Sequence, residues 1–132
     1  PRSPYELLGP YPILARTLDK CRADLIGKAN GYHWNCPLAH MFFGFKGIDP
    51  MAFQEQVKAG KGDQEILAWC EANGRPTTEE ETLAWAYDCR TARPQGADKK
   101  AFLEGLVRAL PEAKWRQVET FFQLLDAEEG RL

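Results

Sequence analysis

Both histidines of the chain lie within one stretch of ten residues that also contains a cysteine, a tyrosine and a tryptophan. The stretch reads Gly31-Tyr32-His33-Trp34-Asn35-Cys36-Pro37-Leu38-Ala39-His40. Imidazole is the side chain that titrates near neutral pH, and a cysteine thiolate is a strong nucleophile. No other part of the sequence concentrates so many reactive groups. We therefore predict His33 and Cys36 as the candidate catalytic residues.

The position of Cys36 before a proline favours a reactive thiol. Proline suits the first position of a helix, so Pro37 predicts a helix whose N-cap is Cys36. The N–H groups and the positive dipole at a helix start stabilise a thiolate, and His33 could act as the paired base. Alternatively Asn35, a better capping residue, is the N-cap, and Cys36 is a small buried apolar residue.

A metal site in the same stretch is a weaker alternative. His33, Cys36 and His40 are residue types that zinc accepts, and Asp49 could be a fourth ligand, but the spacing matches no established motif. The dipeptide Cys36-Pro37 alone does not indicate a haem ligand. We predict no metal, no cofactor and, since no C-x-x-C pair occurs, four free thiols: Cys21, Cys36, Cys70 and Cys89.

The first predicted helix could supply an anion site. It has Pro12 at its first position, ends near Gly27 and has an apolar stripe of Leu14, Leu18, Cys21 and Leu25. The opposite face carries Arg16, Asp19 and Lys20, and its ordinary interpretation is a solvent-exposed face with an Arg16–Asp19 pair. In the functional interpretation, basic side chains bind a carboxylate or phosphate. The candidate ligand-binding residues are then Arg16, Asp19, Lys20, Tyr32 and Asn35.

Helical spacing recurs along the rest of the chain, and no run of alternating residues predicts a strand. Helix starts are predicted at Pro37, Asp49-Pro50, Asp63, Asp98 and a capping box of Thr78 with Glu81. Two more apolar stripes are Phe102, Leu106 and Leu110, and Trp115, Val118, Phe122 and Leu125. We predict an all-α fold, a compact bundle of about six or seven short helices that forms a single domain over residues 1–132.

Composition narrows the classes of function. The chain has 132 residues, 17 Lys and Arg, 19 Asp and Glu and a net charge of −2. This balance argues against nucleic-acid binding, and a helix-turn-helix protein is the least favoured class. No apolar run is long enough for a membrane span, and no secretory signal pattern opens the chain, so we expect a cytoplasmic protein.

The tryptophans support an alternative function. Trp69 and Trp115 fit core stripes, whereas Trp34 and Trp85 could form an exposed aromatic surface. That surface would belong to a protein-interaction or adaptor module without catalytic activity. Homo-oligomerisation is left open.

Several motifs resemble a known family. They are Tyr11-Pro12-Ile13-Leu14-Ala15-Arg16-Thr17-Leu18-Asp19-Lys20-Cys21-Arg22-Ala23, Gly31-Tyr32-His33, Asn35-Cys36-Pro37-Leu38, Phe42-Phe43-Gly44-Phe45-Lys46-Gly47-Ile48-Asp49 and Asp63-Gln64-Glu65-Ile66-Leu67-Ala68-Trp69. The chain resembles the family called domain of unknown function 5069, which consists of small, mainly bacterial proteins. The resemblance implies a stand-alone protein and carries over no catalytic residues. Ala39 departs from the family pattern, in which an acidic residue is expected.

We therefore predict a polar pocket between the first helix and the 31–40 stretch that binds a small anionic metabolite. Arg16 and Lys20 would bind the anion, Tyr32 and Asn35 would orient it, and His33 would act as acid or base. Whether the protein is an enzyme is left open.

Overall fold

The computed structural model describes all residues, 1–132, and divides them into two units, Pro1–Ala86 and Tyr87–Leu132. The prediction of an all-α fold is confirmed, because the chain forms helices and no sheet. None of these helices combines the length and apolarity needed to cross a bilayer. The two units are described separately below, and the single domain over residues 1–132 stays a prediction.

Seven α-helices and one 3₁₀ helix make up the fold. In chain order they are α1 Leu14–Leu25, α2 Pro37–Lys46, α3 Pro50–Lys58, α4 Asp63–Asn73, α5 Glu79–Thr91, α6 Ala97–Arg108, the 3₁₀ helix Glu112–Gln117 and α7 Phe121–Glu128. Helix α5 runs across the division between the two units.

Helix α1 begins later than its sequence indicates. Its N-cap is Ile13, with φ of 76°, so the prediction of Pro12 as the first helical residue is wrong. A positive φ is costly for a β-branched residue, but Ile13 is fully buried and its N–H donates to the Pro4 carbonyl, so packing holds the conformation. Leu14 and Leu18 face the core as predicted, whereas Leu25 is more than one-third exposed.

The core of the first unit is rich in aromatic rings. Phe42 and Phe43 of α2 are buried beside Phe53 of α3, and the rings of Phe43 and Phe53 meet edge-on with centroids 5.2 Å apart. Trp34, just before α2, stacks on Phe53 at 6.3 Å. Burying one such ring stabilises the fold by about 1.5–3 kcal/mol, and these contacts hold the loop before α2 against the core.

Local capping signals are mostly confirmed. Asp49 accepts a hydrogen bond from the Ala52 N–H and caps α3, and Thr78 and Glu81 form the predicted capping box before α5. The prediction that Asp63 caps α4 is wrong. Gly62 is the N-cap and Asp63 is the first helical residue, where its carboxylate forms ion pairs instead.

Of the stripe predicted for helix α6 of the second unit, Leu106 and Leu110 pack against the core as predicted, but Phe102 does not. Its N-cap is Gly96, not Asp98, and Leu103 is buried while Phe102 is 69% exposed. Leu106, Val107 and Leu110 pack around the same core as Leu103. The buried stripe therefore starts one residue after Phe102, which turns that ring outward by about 100°.

The final helix is shorter than predicted. Trp115 lies in the 3₁₀ helix, is 38% exposed and does not belong to α7. Val118 is extended, and Thr120 then caps α7 in a capping box with Gln123. The chain therefore stops being helical between the two segments, and the predicted helix from Trp115 to Leu125 is wrong.

Candidate functional site

The polar face of α1 is buried. Arg16 is 2% and Lys20 is 8% exposed, so the interpretation of this face as solvent-exposed is wrong. Spacing within α1 does not reveal this, because the covering residues come from elsewhere: the N-terminal segment at Arg2 and the loop that ends at Cys36 both contact these side chains.

Asp19 pairs with Arg2 and not with Arg16. The Arg2 backbone N–H donates to the Asp19 carboxylate at 2.7 Å, and its guanidinium approaches the same carboxylate at 3.0 Å. Arg2 also forms an ion pair with Asp63 at 2.8 Å, and Arg22 joins Asp63 at 2.9 Å. Hydrogen bonds from Arg2 hold the pKa of the Asp63 carboxyl below its ordinary value. Asp19 and Asp63 thus fasten the N-terminal segment to α1 and α4.

Arg16 is positioned by the backbone and by an aromatic ring. Its Nη1 donates to the Arg2 carbonyl at 3.2 Å. Its guanidinium carbon lies 5.6 Å from the centre of the Tyr32 ring, within the range of a cation–π contact. The structure therefore brings together two of the residues predicted for an anion site.

Cys36 is the N-cap of α2, and Pro37 is the first helical residue, as the first interpretation predicts. The alternative, with Asn35 as the N-cap, is wrong. The Lys20 Nζ donates to the Cys36 Sγ at 3.4 Å, and the thiol is partly exposed. An ammonium beside a sulfur at a helix start is a setting typical of reactive cysteines. We call Arg16, Lys20, Tyr32 and Cys36 the Arg16 cluster.

His33 and Asn35 lie outside the Arg16 cluster. His33 is exposed and forms no hydrogen bond with Cys36, and the Asn35 Oδ1 pairs with the His40 Nε2 at 2.6 Å. The acid–base role of His33 and the orienting role of Asn35 therefore stay predictions. No three His, Cys, Asp or Glu side chains in the chain are grouped as metal ligands.

The other three cysteines are buried free thiols. Burial raises the pKa of Cys21 to about 11 and that of both Cys70 and Cys89 to about 12. Cys36 differs from all three because it is only partly buried.

The aromatic surface predicted for an adaptor does not form from Trp34 and Trp85. Trp34 is only 7% exposed, and Trp85 is stacked on Phe45 with ring centroids 4.5 Å apart. The Trp85 indole N–H donates to the Met41 carbonyl at 3.2 Å. Both rings therefore pack within the first unit, and the expectation of an exposed ring is wrong for Trp34, while Trp85 stays partly exposed.

A second polar cluster escaped the sequence interpretation. Lys46 is 1% exposed, and its Nζ donates to Thr77 Oγ1 at 3.1 Å and lies 3.7 Å from the Glu71 carboxylate. Tyr11 donates its hydroxyl to Glu71, and the Lys46 Nζ lies 5.4 Å from the Tyr11 ring centre. Burial, followed by the Glu71 contact, raises the pKa of Tyr11. We call Tyr11, Lys46, Glu71 and Thr77 the Lys46 network.

A sequence signal for this network existed. Lys46 is the only Lys, Arg, Asp or Glu in α2. The other residues of this helix are apolar except for His40. Gly74 at the end of α4 supports the same contact, because a Cβ there would lie 2.6 Å from the Lys46 carbonyl oxygen. The end of α4 therefore approaches the end of α2 so closely that no side chain fits at position 74.

A cavity of about 320 Å³ opens beside the Lys46 network. Its apolar lining comes from Pro10, Leu67 and Leu83, and its polar lining includes Tyr11, Glu71 and Glu79. All of these residues belong to the first unit.

The family model described as "Domain of unknown function (DUF5069)" matches residues 1–131, so the chain belongs to this family. The resemblance seen in the sequence is confirmed. No curated protein matches the chain.

Proposed function

We propose that this chain, a member of the DUF5069 family, binds a small anionic metabolite with a carboxylate or phosphate group at the Arg16 cluster. The observation that carries the proposal is the burial of two basic side chains, Arg16 and Lys20, one helical turn apart on the same helix.

Electrostatics favours an anion here. Like charges four residues apart on a helix repel each other, and removing a charge from water is costly. Of the two acids of this helix, Asp19 is held by Arg2 and Asp24 is exposed. A bound anion beside Lys20 offsets part of the cost of burying this ammonium. The planar fork of Arg16 suits a carboxylate or phosphate, and Lys20 adds a point charge.

The start of α2 adds to the proposed site. Free backbone N–H groups and the positive end of the helix dipole favour anions, and Cys36 stands at this N-cap. Tyr32 holds the Arg16 guanidinium by its ring contact. Catalysis by the Cys36 thiol with His33 is a separate step of the proposal. Cys36→Ser is expected to retain anion binding, which distinguishes binding from any reaction.

Thermal unfolding in the presence of inorganic phosphate or malonate tests the binding step, with chloride at matched ionic strength as the reference. A ligand at about 100 times its Kd stabilises the native state by about 2.7 kcal/mol. We expect saturable stabilisation of the wild type and its loss in Lys20→Met. Lys28→Met is the matched control, because Lys28 is an exposed lysine just after α1. Equal stabilisation of wild type and Lys20→Met would refute the proposed site.

We also propose a cytoplasmic location. The four free cysteines support it, since pairing of thiols is rare in reducing compartments.

A further inference from the structure

We propose that the cavity beside the Lys46 network binds a small primary amine in its protonated form, with a short apolar body. This site is separate from the Arg16 cluster and does not depend on the proposed anion binding. Three properties of the cavity lead to the proposal: its remaining hydrogen-bonding capacity, its charge and its apolar wall.

Hydrogen bonds within the protein engage several of the donors around the cavity. The Tyr11 hydroxyl donates to Glu71, the Lys46 ammonium donates to Thr77, and the Thr82 hydroxyl donates to the Thr78 carbonyl at 2.9 Å. Glu71 and Glu79 add carboxylate oxygens to the lining, and an ionised carboxylate accepts and never donates. The lining therefore suits a ligand that brings its own N–H groups.

The charge of the lining favours a cation. Glu71 and Glu79 both line the cavity, and the buried Lys46 ammonium offsets one of these two negative charges. An anionic ligand would face the remaining carboxylate. A protonated amine instead supplies three donors and no acceptor, which complements the lining.

The apolar part of the lining explains the apolar body. Pro10, Leu67 and Leu83 line the cavity, and Leu83 is 60% exposed although it is a large apolar residue. A hydrocarbon group over Leu83 would remove this side chain from water. A cavity of about 320 Å³ lies at the small end of ligand sites, so the ligand is a small molecule.

Titration of the full chain with benzylammonium, followed by NMR chemical shifts, tests the proposal. Benzyl alcohol and benzoate have the same ring with no charge and with a negative charge. We expect saturable shifts around Leu83 with benzylammonium, and weaker or no binding of the other two. Glu79→Gln is expected to weaken benzylammonium binding by about fivefold, the value of a partly exposed ion pair of about 1 kcal/mol.

Glu80→Gln is the matched control. Glu80 stands in the same first turn of α5 and carries the same charge, but it does not line the cavity. Its substitution should leave the affinity unchanged. The proposal is overturned if benzyl alcohol binds as tightly as benzylammonium, if Glu79→Gln and Glu80→Gln behave alike, or if no saturation occurs. Thermal stabilisation of the Glu79→Gln variant by added phosphate reports on the Arg16 cluster alone. Failure of one site is therefore distinguishable from failure of the other.

Discussion

Two buried lysines of the first unit stand in opposite electrostatic settings. The Lys46 ammonium has a hydroxyl at 3.1 Å and the Glu71 carboxylate at 3.7 Å. Lys20 contacts a thiol at 3.4 Å and shares its helix face with the buried Arg16. The nearby acid, Asp19, forms its ion pair with Arg2. The buried Lys46 ammonium therefore has a carboxylate beside it, whereas the buried Lys20 ammonium lies beside a thiol.

The difference indicates a structural role for Lys46 and agrees with the binding role that we propose for Lys20. A buried ion pair stabilises the fold that brings its two charges together, and removing one partner lowers the free energy of unfolding. An ammonium beside a thiol gains a counter-charge when an anion binds, and binding to the native state then stabilises the folded protein. The two clusters should therefore respond to substitution by different amounts, although each contains a buried lysine.

The largest expected contrast is between two thiols. Near neutral pH, iodoacetamide should modify Cys36 at least about a hundredfold faster than Cys70, because Cys70 is fully buried and its raised pKa keeps the thiol protonated. The pKa of Cys70 is raised from 9.0 to about 12 by burial and by Glu71. Mass spectrometry of peptides from natively labelled protein measures both rates. Labelling of Cys70 at the rate of Cys36 would contradict the contrast.

The next contrast is in stability. Lys46→Met should lower the free energy of unfolding by about 2 kcal/mol. A fully buried pair costs about 3–5 kcal/mol to break, and Glu71 is half exposed. Lys20→Met should change the free energy of unfolding by less than about 0.5 kcal/mol, since the substitution relieves repulsion from Arg16 while keeping the side-chain length. Urea unfolding of both variants provides the comparison, and equal losses would show that the two lysines are equivalent.

The smallest expected effect concerns the ion pairs that fasten Arg2. The pKa of Asp63 is lowered in the folded state, so its contribution to stability is present above its unfolded pKa and is lost as pH falls through the folded pKa. Between about pH 7 and about pH 3, the wild type should lose up to about 1 kcal/mol more stability than Asp63→Asn. Unfolding free energies at both pH values measure this difference. Identical losses would mean that the Arg2–Asp63 pair contributes nothing to the attachment of the N-terminal segment.

Local signals in the sequence predicted several elements correctly. Pro37, Asp49-Pro50 and Thr78 with Glu81 begin helices as expected, because a cap depends on residues within one turn of itself. Asp63 was misassigned as a cap because its carboxylate binds Arg2, which is distant in the sequence. The capping box of Thr120 with Gln123 was local as well and could have been found.

The candidate site was predicted only in part. The grouping of Arg16, Lys20, Tyr32 and Cys36 agrees with the sequence analysis, whereas His33 and Asn35 lie outside the cluster. Residue types and spacing indicated which groups could bind an anion. They did not indicate which of those groups would face one another across a loop.

By itself, the sequence determined the helical class, the position of most helix starts and the family, because these depend on local preferences and on recognisable motifs. Only the tertiary structure decided that Arg16 and Lys20 are buried and that Lys46 joins Tyr11 and Glu71. The physical reason is that burial and charge compensation are set by segments far apart in the chain. The contact between Lys46 and Glu71 forms when the end of α4 packs against α2. The periodicity within either helix does not indicate this contact.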